Sequence, residues 1–226
     1  INDFNGMFAI AIWDKHAEKL YLVRDRIGIK PLNYWYEDGN FAFASELKSI
    51  FLLPFTKQIE HKAIANFLYQ GYVPKEDTIY KNCYKLQPGQ YAVLYKGSLQ
   101  IFSYWQPENE IDPTVLTDEK SAKKSLQELL QSSIKYCMIS DVPLGVFLSG
   151  GIDSSLVTAI AQSVSTTSVK TFSIGFKEAK FNESQYASNV ANHLKTDHHE
   201  FIVSEKDALG LIDDILNVYD EPYADS

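Results

Sequence analysis

The chain is poor in cysteine, has no long apolar run and carries no cluster of positive charge, and each shortage removes a class of function. Its two cysteines, Cys83 and Cys137, stand alone in 226 residues, with no metal-ligand spacing around either. That excludes a disulfide framework and a Cys-based zinc site, and it suits free thiols in a reducing compartment. No apolar stretch approaches the roughly 20 residues that a membrane-spanning helix needs, and no signal-peptide pattern is visible. Asp and Glu number 29 against 21 Lys and Arg, for a net charge of −8. With the basic residues scattered, a nucleic-acid surface is excluded. The remaining composition, 45% hydrophobic and 22% charged, is that of an ordinary globular chain of one large or two ordinary domains. A cytoplasmic protein is expected. The chain opens on Ile1 rather than Met and stops at Glu221-Pro222-Tyr223-Ala224-Asp225-Ser226 without capping character, so an internal fragment of a longer protein is the reading.

The hydrophobic pattern changes period near residues 106–116. Before that point it is β-rich. Strands are expected over residues 7–13, 19–24, 33–36, 41–44, 90–95 and 99–104, with helices over 45–53 and 61–70. After the polar, Pro-punctuated stretch Gln106-Pro107-Glu108-Asn109-Glu110-Ile111-Asp112-Pro113, helices and short apolar strands alternate. A helix over 121–138 places Leu126, Leu129, Ile134 and Cys137 on one stripe. Strands over 144–148, 169–174 and 199–203 follow, between helices over 156–163, 183–194 and 205–219. That alternation predicts an α/β fold whose parallel sheet is covered on both faces, with ligands bound at the carboxyl ends of its strands.

The most informative run lies at such an end. Leu144-Gly145-Val146-Phe147-Leu148 leads into Ser149-Gly150-Gly151-Ile152-Asp153-Ser154-Ser155, and a helical stretch follows. Glycines let the backbone approach an anion closely. Free N–H groups of the helix's first turn, with the helix dipole behind them, point at that anion. Ser149, Ser154 and Ser155 add hydroxyls. Asp153 would repel a phosphate, so a carboxylate here makes sense if it holds Mg²⁺ against the phosphates. No Lys follows the glycines, which rules out the Walker-type loop. The plain alternative is a strand-turn-helix connection in which Asp153 and Ser154 serve as capping residues.

This loop resembles the pyrophosphate loop of the ATP pyrophosphatases, whose pattern is S-G-G-x-D-S. Other stretches point to one family. Asn5-Gly6-Met7-Phe8-Ala9, Arg24-Asp25-Arg26-Ile27-Gly28-Ile29-Lys30-Pro31-Leu32, Phe43-Ala44-Ser45-Glu46-Leu47-Lys48, Gly71-Tyr72-Val73-Pro74 and Leu86-Gln87-Pro88-Gly89 are similar to segments of class II glutamine amidotransferases. Ser140-Asp141-Val142-Pro143, Phe172-Ser173-Ile174-Gly175-Phe176, His198-His199-Glu200 and Asp220-Glu221-Pro222 continue the ordered set. Together they resemble the glutamine-hydrolysing asparagine synthetases. The resemblance implies the C-terminal part of a partial Ntn-type glutaminase, a β-rich sandwich, over residues 1–108. Over 115–226 it implies the N-terminal part of a parallel-sheet synthetase domain of the adenine-nucleotide alpha-hydrolase-like kind. It also implies ATP and Mg²⁺ as cofactors, with aspartate and glutamine or ammonia as small-molecule partners. The expected reaction turns ATP, aspartate, glutamine and water into AMP, diphosphate, asparagine and glutamate through β-aspartyl-AMP. By the match, Leu148, Ser149, Gly150, Gly151, Asp153, Ser154, Ser155 and Ile174 bind ATP or pyrophosphate, and Asp153 is the Mg²⁺ ligand.

The family's catalytic residues have no counterpart here. Its glutaminase uses an N-terminal Cys whose α-amine is the base, and neither Cys83 nor Cys137 matches that position. A second acidic loop and a catalytic Lys of the synthetase site are also absent, so the 226 residues alone are expected to be inactive. Arg24, Arg26 and Lys30 read as ion-pair donors at a domain junction, with a phosphate clamp as the alternative. His198 and His199, adjacent on a strand, point to opposite faces and should not share a metal. Asp220-Glu221-Pro222 reads equally as an acidic helix end or as an active-site neighbour. Three functions stay open: asparagine synthetase; a related amidotransferase of surface-polysaccharide sugar or β-lactam or peptide-cyclising type; and an inactive nucleotide-binding scaffold. A homodimer is the assembly expected.

Overall fold

The structure, a computed structural model, describes residues 1–112, 118–177 and 184–224. Residues 113–116 of the expected boundary region and the helix start at Glu183 lie outside them. The fold is mixed α/β, with antiparallel sheets in one compact unit and a parallel sheet in another. The first unit comprises Ile1–Asp112 and Asp213–Ser226, and the second Pro113–Ile212.

In the first unit the elements are β1 (Ala9–Asp14), β2 (Lys19–Arg24), β3 (Asn33–Glu37), β4 (Asn40–Ala44), α1 (Leu47–Ile50), α2 (His61–Gln70), β5 (Cys83–Lys85), β6 (Gln90–Tyr95) and β7 (Ser98–Ser103). They form a four-stranded sheet ordered β1-β2-β6-β7 and a three-stranded sheet ordered β4-β3-β5, with antiparallel pairing throughout. Two of the hairpins close on Asp38-Gly39 and Lys96-Gly97, where both residues of each pair have positive φ. Such two-residue turns carry the twist that antiparallel strands need. Leu22 and Ala92 of the larger sheet pack against Tyr34 of the smaller one, with Leu32 and Leu86 closing the core. The smaller sheet's other face presents Trp35, Ala42 and Cys83 to Leu47 and Ile50 of α1. The layers are therefore sheet, sheet, helix.

α1 is one turn where the sequence pattern suggested residues 45–53. Glu46 is extended, and beyond Ile50 the chain tightens into i→i−3 bonds before Pro54. The short strand β5 was not foreseen. Its three residues alternate no more clearly than a turn does.

The loop after β2 is held by a buried charge. Asp25, only 1% exposed, accepts from the N–H groups of Phe8, Ile27, Ile29 and Lys30 at 2.9–3.3 Å. Arg24 beside it donates to three carbonyls, those of Lys30, Leu86 and Gly28, at 3.0, 2.6 and 2.7 Å. Arg26 donates to the Asn2 carbonyl at 2.6 Å. The expectation of ion-pair donors is thus corrected. Backbone carbonyls, which face this loop in number, take the guanidinium donors, and among the described residues no carboxylate pairs with Arg24, Arg26 or Lys30.

The second unit holds α3 (Glu119–Cys137), β8 (Gly145–Phe147), α4 (Ile152–Val164), β9 (Lys170–Phe176), α5 (Ser184–Leu194), β10 (Asp197–Val203) and α6 (Glu205–Gly210). The sheet is parallel, in the order β10-β9-β8. Ile134 of α3 and Ile160 and Ala161 of α4 pack with Val146 and Val169 on one face, and Ala187 and Ala191 of α5 pack with Leu148. The opposite face carries Phe147, Phe172, His199 and Phe201, the last three stacked in a row, and Phe147 is 82% exposed. The expected two-face covering is corrected for the described residues. Successive right-handed crossovers that advance the same way across a sheet lay both helices on one face. The α3 stripe also differs: Leu130, Ile134 and Met138, four apart, face inward, while Leu126, Leu129 and Cys137 are exposed.

The helix expected over 205–219 is two. α6 ends at the cap Leu211, just past Gly210, and α7 (Ile212–Val218) follows. Glycine disfavours continuation through a helix interior.

Burial alone would raise the Asp25 carboxyl, but backbone donors at Lys30, Ile29, Gly28 and Phe8 outweigh it and hold the group below the usual carboxylate range. A depressed folded-state value means its stabilisation is complete above the unfolded pKa of about 4 and is lost as pH falls through the folded value. Asp25→Asn should therefore cost roughly 3 kcal/mol at pH 7, the scale of losing charge-assisted bonds at a buried site. The gap to the parent chain should narrow on acidification below about pH 4. Urea midpoints at both pH values measure it. Equal stability of the two chains at pH 7 would contradict the bracket.

Candidate anion site at the Ser149 turn

The site is made by one strand-turn-helix unit. The Leu148 N–H donates to the Phe172 carbonyl at 2.8 Å, carrying the parallel ladder one residue beyond β8. Leu148 itself is buried against α5, so only its backbone can meet a ligand. The chain then reverses through Gly150, whose φ is +83°. A Cβ there would lie 2.5 Å from Tyr186 Cβ and 2.6 Å from the Ala187 nitrogen. Gly150 thus answers two demands at once, a left-handed backbone and contact with the backbone of α5.

Gly151 caps α4 without a side chain. The first helical bond runs from the Ser155 N–H to the Gly151 carbonyl at 3.1 Å. The N–H groups of Ile152, Asp153 and Ser154 therefore stand outside the helical ladder at its positive end. Two hydroxyls sit over them. Ser149 Oγ and Ser154 Oγ lie 3.0 Å apart. Ser154 Oγ accepts from the Ser149 N–H at 3.3 Å and donates to the Gly151 carbonyl at 3.3 Å. These bonds hold the turn in shape while leaving both hydroxyls exposed and able to trade partners. Ser155 is placed differently: its Oγ is buried with no hydrogen-bond partner among the described residues, and it lines a groove between α4 and α5 instead.

Beside the turn lies a cavity of about 320 Å³ lined by Phe147, Leu148, Ser149, Ser154, Phe172, Ser173, Ile174, Ser184 and Ala187. The structure thus joins Ser149, Ser154, Leu148 and Ile174 at the carboxyl ends of β8 and β9. Ile174 contributes a half-exposed side chain. Phe147, Phe172, Ser173, Ser184 and Ala187 were not among the candidates. Phe147, immediately before the expected Leu148, could have been found from its position; Ser184 and Ala187 depend on how α5 docks.

Asp153 occupies the first turn of α4, exposed at the rim. Among the described residues no group of three His, Cys, Asp or Glu side chains could hold a metal by itself. One exposed carboxylate next to an anion cradle fits Mg²⁺, which takes one or two carboxylates and completes its shell with phosphate oxygens and water.

None of the remaining candidates lines this cavity, though both histidines touch residues that do. His198 meets Thr171 Oγ1 at 2.9 Å and Ser173 Oγ at 3.2 Å, while the His199 ring stacks on Phe172 at 5.2 Å. The rings lie on opposite faces of β10, as alternation requires. Cys83 is buried, and burial, helped by Glu221, pushes its thiol up to about 11, far from a thiolate at neutral pH. Asp220 and Glu221 bond to the first unit's own backbone. No helix of the described residues is long and apolar enough to cross a membrane.

Comparison with known proteins finds two family matches along the chain. Residues 1–105 match the family described as glutamine amidotransferase domain, and residues 125–226 match asparagine synthase. The chain is 37% identical to the putative asparagine synthetase [glutamine-hydrolyzing] 2 of Methanocaldococcus jannaschii, over 100% of this chain and 44% of that protein. It is 33% identical to asparagine synthetase [glutamine-hydrolyzing] 1 of Bacillus subtilis, over 97% of this chain and 34% of that protein. With asparagine synthetase B [glutamine-hydrolyzing] of Escherichia coli it shares 29% identity, over 96% and 36%. The chain therefore spans less than half the length of these relatives.

Gly150→Ala should destabilise the second unit by roughly 2–5 kcal/mol, the sum of a left-handed Cβ penalty and overpacking against a fixed backbone. Gly151→Ala, whose Cβ would meet only Ser149 Oγ at 3.4 Å and whose φ is negative, should cost well under half as much. Thermal unfolding of the two variants compares them, and equal losses would contradict the close approach of α5.

Proposed function

We propose, for a chain that belongs to the glutamine-hydrolysing asparagine synthetase family, that it carries parts of both half-reactions of an ATP-dependent carbon–nitrogen ligase. Residues 1–108 correspond to the later part of an Ntn-type class II glutaminase and 115–226 to the earlier part of an ATP-pyrophosphatase-type synthetase domain. The overall reaction is ATP, L-aspartate, L-glutamine and water giving AMP, diphosphate, L-asparagine and L-glutamate. The observation that carries the reading is the uncapped N-terminus of α4 with Ser149 and Ser154 over it, at the carboxyl ends of parallel strands.

The chemistry follows from what must leave. A carboxylate is a poor acyl donor because its oxygen departs badly. Attack of the aspartate side-chain oxygen on the α-phosphorus of ATP breaks the bond to the β-phosphate and gives β-aspartyl-AMP. Ammonia then adds to the acyl carbon and AMP leaves. The negative charge that develops in the first step falls on pyrophosphate. The outward N–H groups of Ile152, Asp153 and Ser154 are preorganised donors for it. Ser149 and Ser154 exchange their mutual bond for phosphate oxygens at little cost, since each hydroxyl can turn. Phe147, Phe172 and Ile174 offer an apolar wall for the adenine ring. Asp153 is the residue that would hold Mg²⁺, which when bound supplies positive charge to the phosphates. The two free thiols suit a cytoplasmic setting.

In the enzyme containing this chain, Asp153→Asn should lower asparagine formation by a factor of about 100 or more, the size of removing one fixed element of transition-state charge stabilisation. Glutamate formation from glutamine should stay within about twofold, since Asp153 lies outside the amidotransferase match. Chromatography of the nucleotides should show AMP with pyrophosphate. ADP with phosphate, or a parallel loss of both activities in a folded variant, would overturn the assignment.

A further inference from the structure

The motif His198-His199-Glu200 contributes nothing to the anion cradle itself, yet one of its rings reaches the wall of the neighbouring cavity. β9 and β10 pair in parallel with His198 opposite Thr171, and the His198 ring spans two hydroxyls of β9. Its Nδ1 lies 2.9 Å from Thr171 Oγ1 and its Nε2 lies 3.2 Å from Ser173 Oγ. Thr171 Oγ1 in turn lies 2.9 Å from Thr196 Oγ1. Thr171 is fully buried and Ser173 is 5% exposed, so neither hydroxyl has bulk water to turn to. Ser173 also lines the cavity, together with Ser149 and Ser154. A chain of polar groups thus runs from the half-buried Thr196 through Thr171 and His198 to the cavity.

Each hydroxyl has one hydrogen and a neutral imidazole has one N–H, so the chain runs without conflict in just two directions. With the proton on Nδ1, Ser173 spends its hydrogen on Nε2 and presents only lone pairs to the cavity. With the proton on Nε2, that N–H donates to Ser173 Oγ, Thr171 donates to Nδ1, and the Ser173 hydrogen is left for a ligand. The distances favour the second direction. A contact of 3.2 Å suits an N–H donor, which works at roughly 2.7–3.2 Å, and is long for an O–H donor, which works at roughly 2.5–3.0 Å. The 2.9 Å contact at Nδ1 suits a hydroxyl donor. The second direction also gives Ser173 the same sense as the outward N–H groups at the start of α4, that of a donor facing a ligand rich in acceptors.

We propose that the Ser173 hydroxyl donates to an acceptor atom in the nucleoside part of ATP, and that His198 is the positioning residue that frees this hydrogen by donating from Nε2. The assignment rests on the nucleotide reading of the cavity. The nucleoside end is chosen because Ser173 stands between Phe172 and Ile174, the apolar wall, on the same strand. His198 acts only through Ser173, and Thr171 with Thr196 fixes which of its nitrogens carries the proton.

Two kinds of measurement test this. On the 226-residue chain at about pH 8, above the usual histidine pKa near 6.5, nitrogen-15 shifts of His198 should show the proton on Nε2 and Nδ1 bare. A proton on Nδ1 would overturn the direction of the chain. In the enzyme containing this chain, Ser173→Ala should raise the KM for ATP about three- to tenfold, the scale of one hydrogen bond, with kcat within about twofold. Inhibition by AMP should weaken by the same factor, and inhibition by pyrophosphate should stay within about twofold. His198→Asn, whose amide reaches only the Nδ1 position, should match Ser173→Ala. His198→Gln, whose amide nitrogen can stand where Nε2 does, should keep the parent KM to within about twofold. Combining Ser173→Ala with His198→Asn should add nothing to either change alone. An unchanged KM in Ser173→Ala would overturn the contact. Equal impairment by Asn and Gln at position 198, or additive effects in the double variant, would overturn the positioning role. Pyrophosphate inhibition weakened along with that by AMP would overturn the nucleoside placement. A parent enzyme that turns over without ATP would bring down the nucleotide reading, and the role of Ser173 with it, while leaving the nitrogen-15 result standing.

Discussion

The contact between Gly150 and the backbone of α5 is the constraint on which the second unit's site depends. Without a side chain at Gly150, the turn can lie 2.5–2.7 Å, measured from a virtual Cβ, from Tyr186 and Ala187. That contact fixes where β8 ends and where α4 begins. The direction of α4 fixes the outward N–H groups, and Ser149 and Ser154 then meet because the reversal is this tight. Gly175 repeats the device on the next strand, where a Cβ would meet Ile202 and Ser184 at 2.7 and 2.9 Å. A rigid, water-facing set of donors is what an electrostatic role for the turn requires, since its dipoles need not reorganise as charge develops.

The first unit solves a different problem with the same economy of groups. Its loop after β2 has no regular structure of its own, yet its backbone groups cannot go unpaired. Asp25 collects four N–H groups and Arg24 three carbonyls, so two adjacent side chains of opposite charge replace a ladder. Asp220 and Glu221 use the same chemistry between segments far apart in sequence, meeting the exposed end of α1 and the Ile79 N–H. In both cases an ionised oxygen meets backbone donors, which is among the stronger hydrogen bonds a protein makes.

Much of this is legible in the sequence. The strands Lys19–Arg24 and Gln90–Tyr95 and the helix His61–Gln70 match the pattern because alternation or 3.6-residue spacing is unbroken and turn residues bound them. The Ser149 turn was legible because glycines and hydroxyls sit where strand period gives way to helix period. What could not be read depends on partners distant in sequence. Leu126 and Leu129 have helical spacing, yet the face that packs is Leu130-Ile134-Met138, because α4 chooses it. Ser155 sits in the expected run, but helix geometry turns its hydroxyl inward. Arg24 carries a charge that suggests an ion pair, and only the folded loop reveals carbonyls in its place. The roles of Asp220 and Glu221 were undecided because a short acidic segment is compatible with many neighbours.

The central proposal is that the chain is part of a ligase that activates a carboxylate by adenylation, with the Ser149 turn holding the departing pyrophosphate. Aspartate labelled with oxygen-18 in its side-chain carboxylate tests it most directly. If the carboxylate oxygen attacks the α-phosphorus and AMP later departs from the acyl carbon, one labelled oxygen must end in the phosphate of AMP. Mass spectrometry of the nucleotide should find that single label in every AMP formed with asparagine. Label in inorganic phosphate, or unlabelled AMP beside labelled asparagine, would contradict the account.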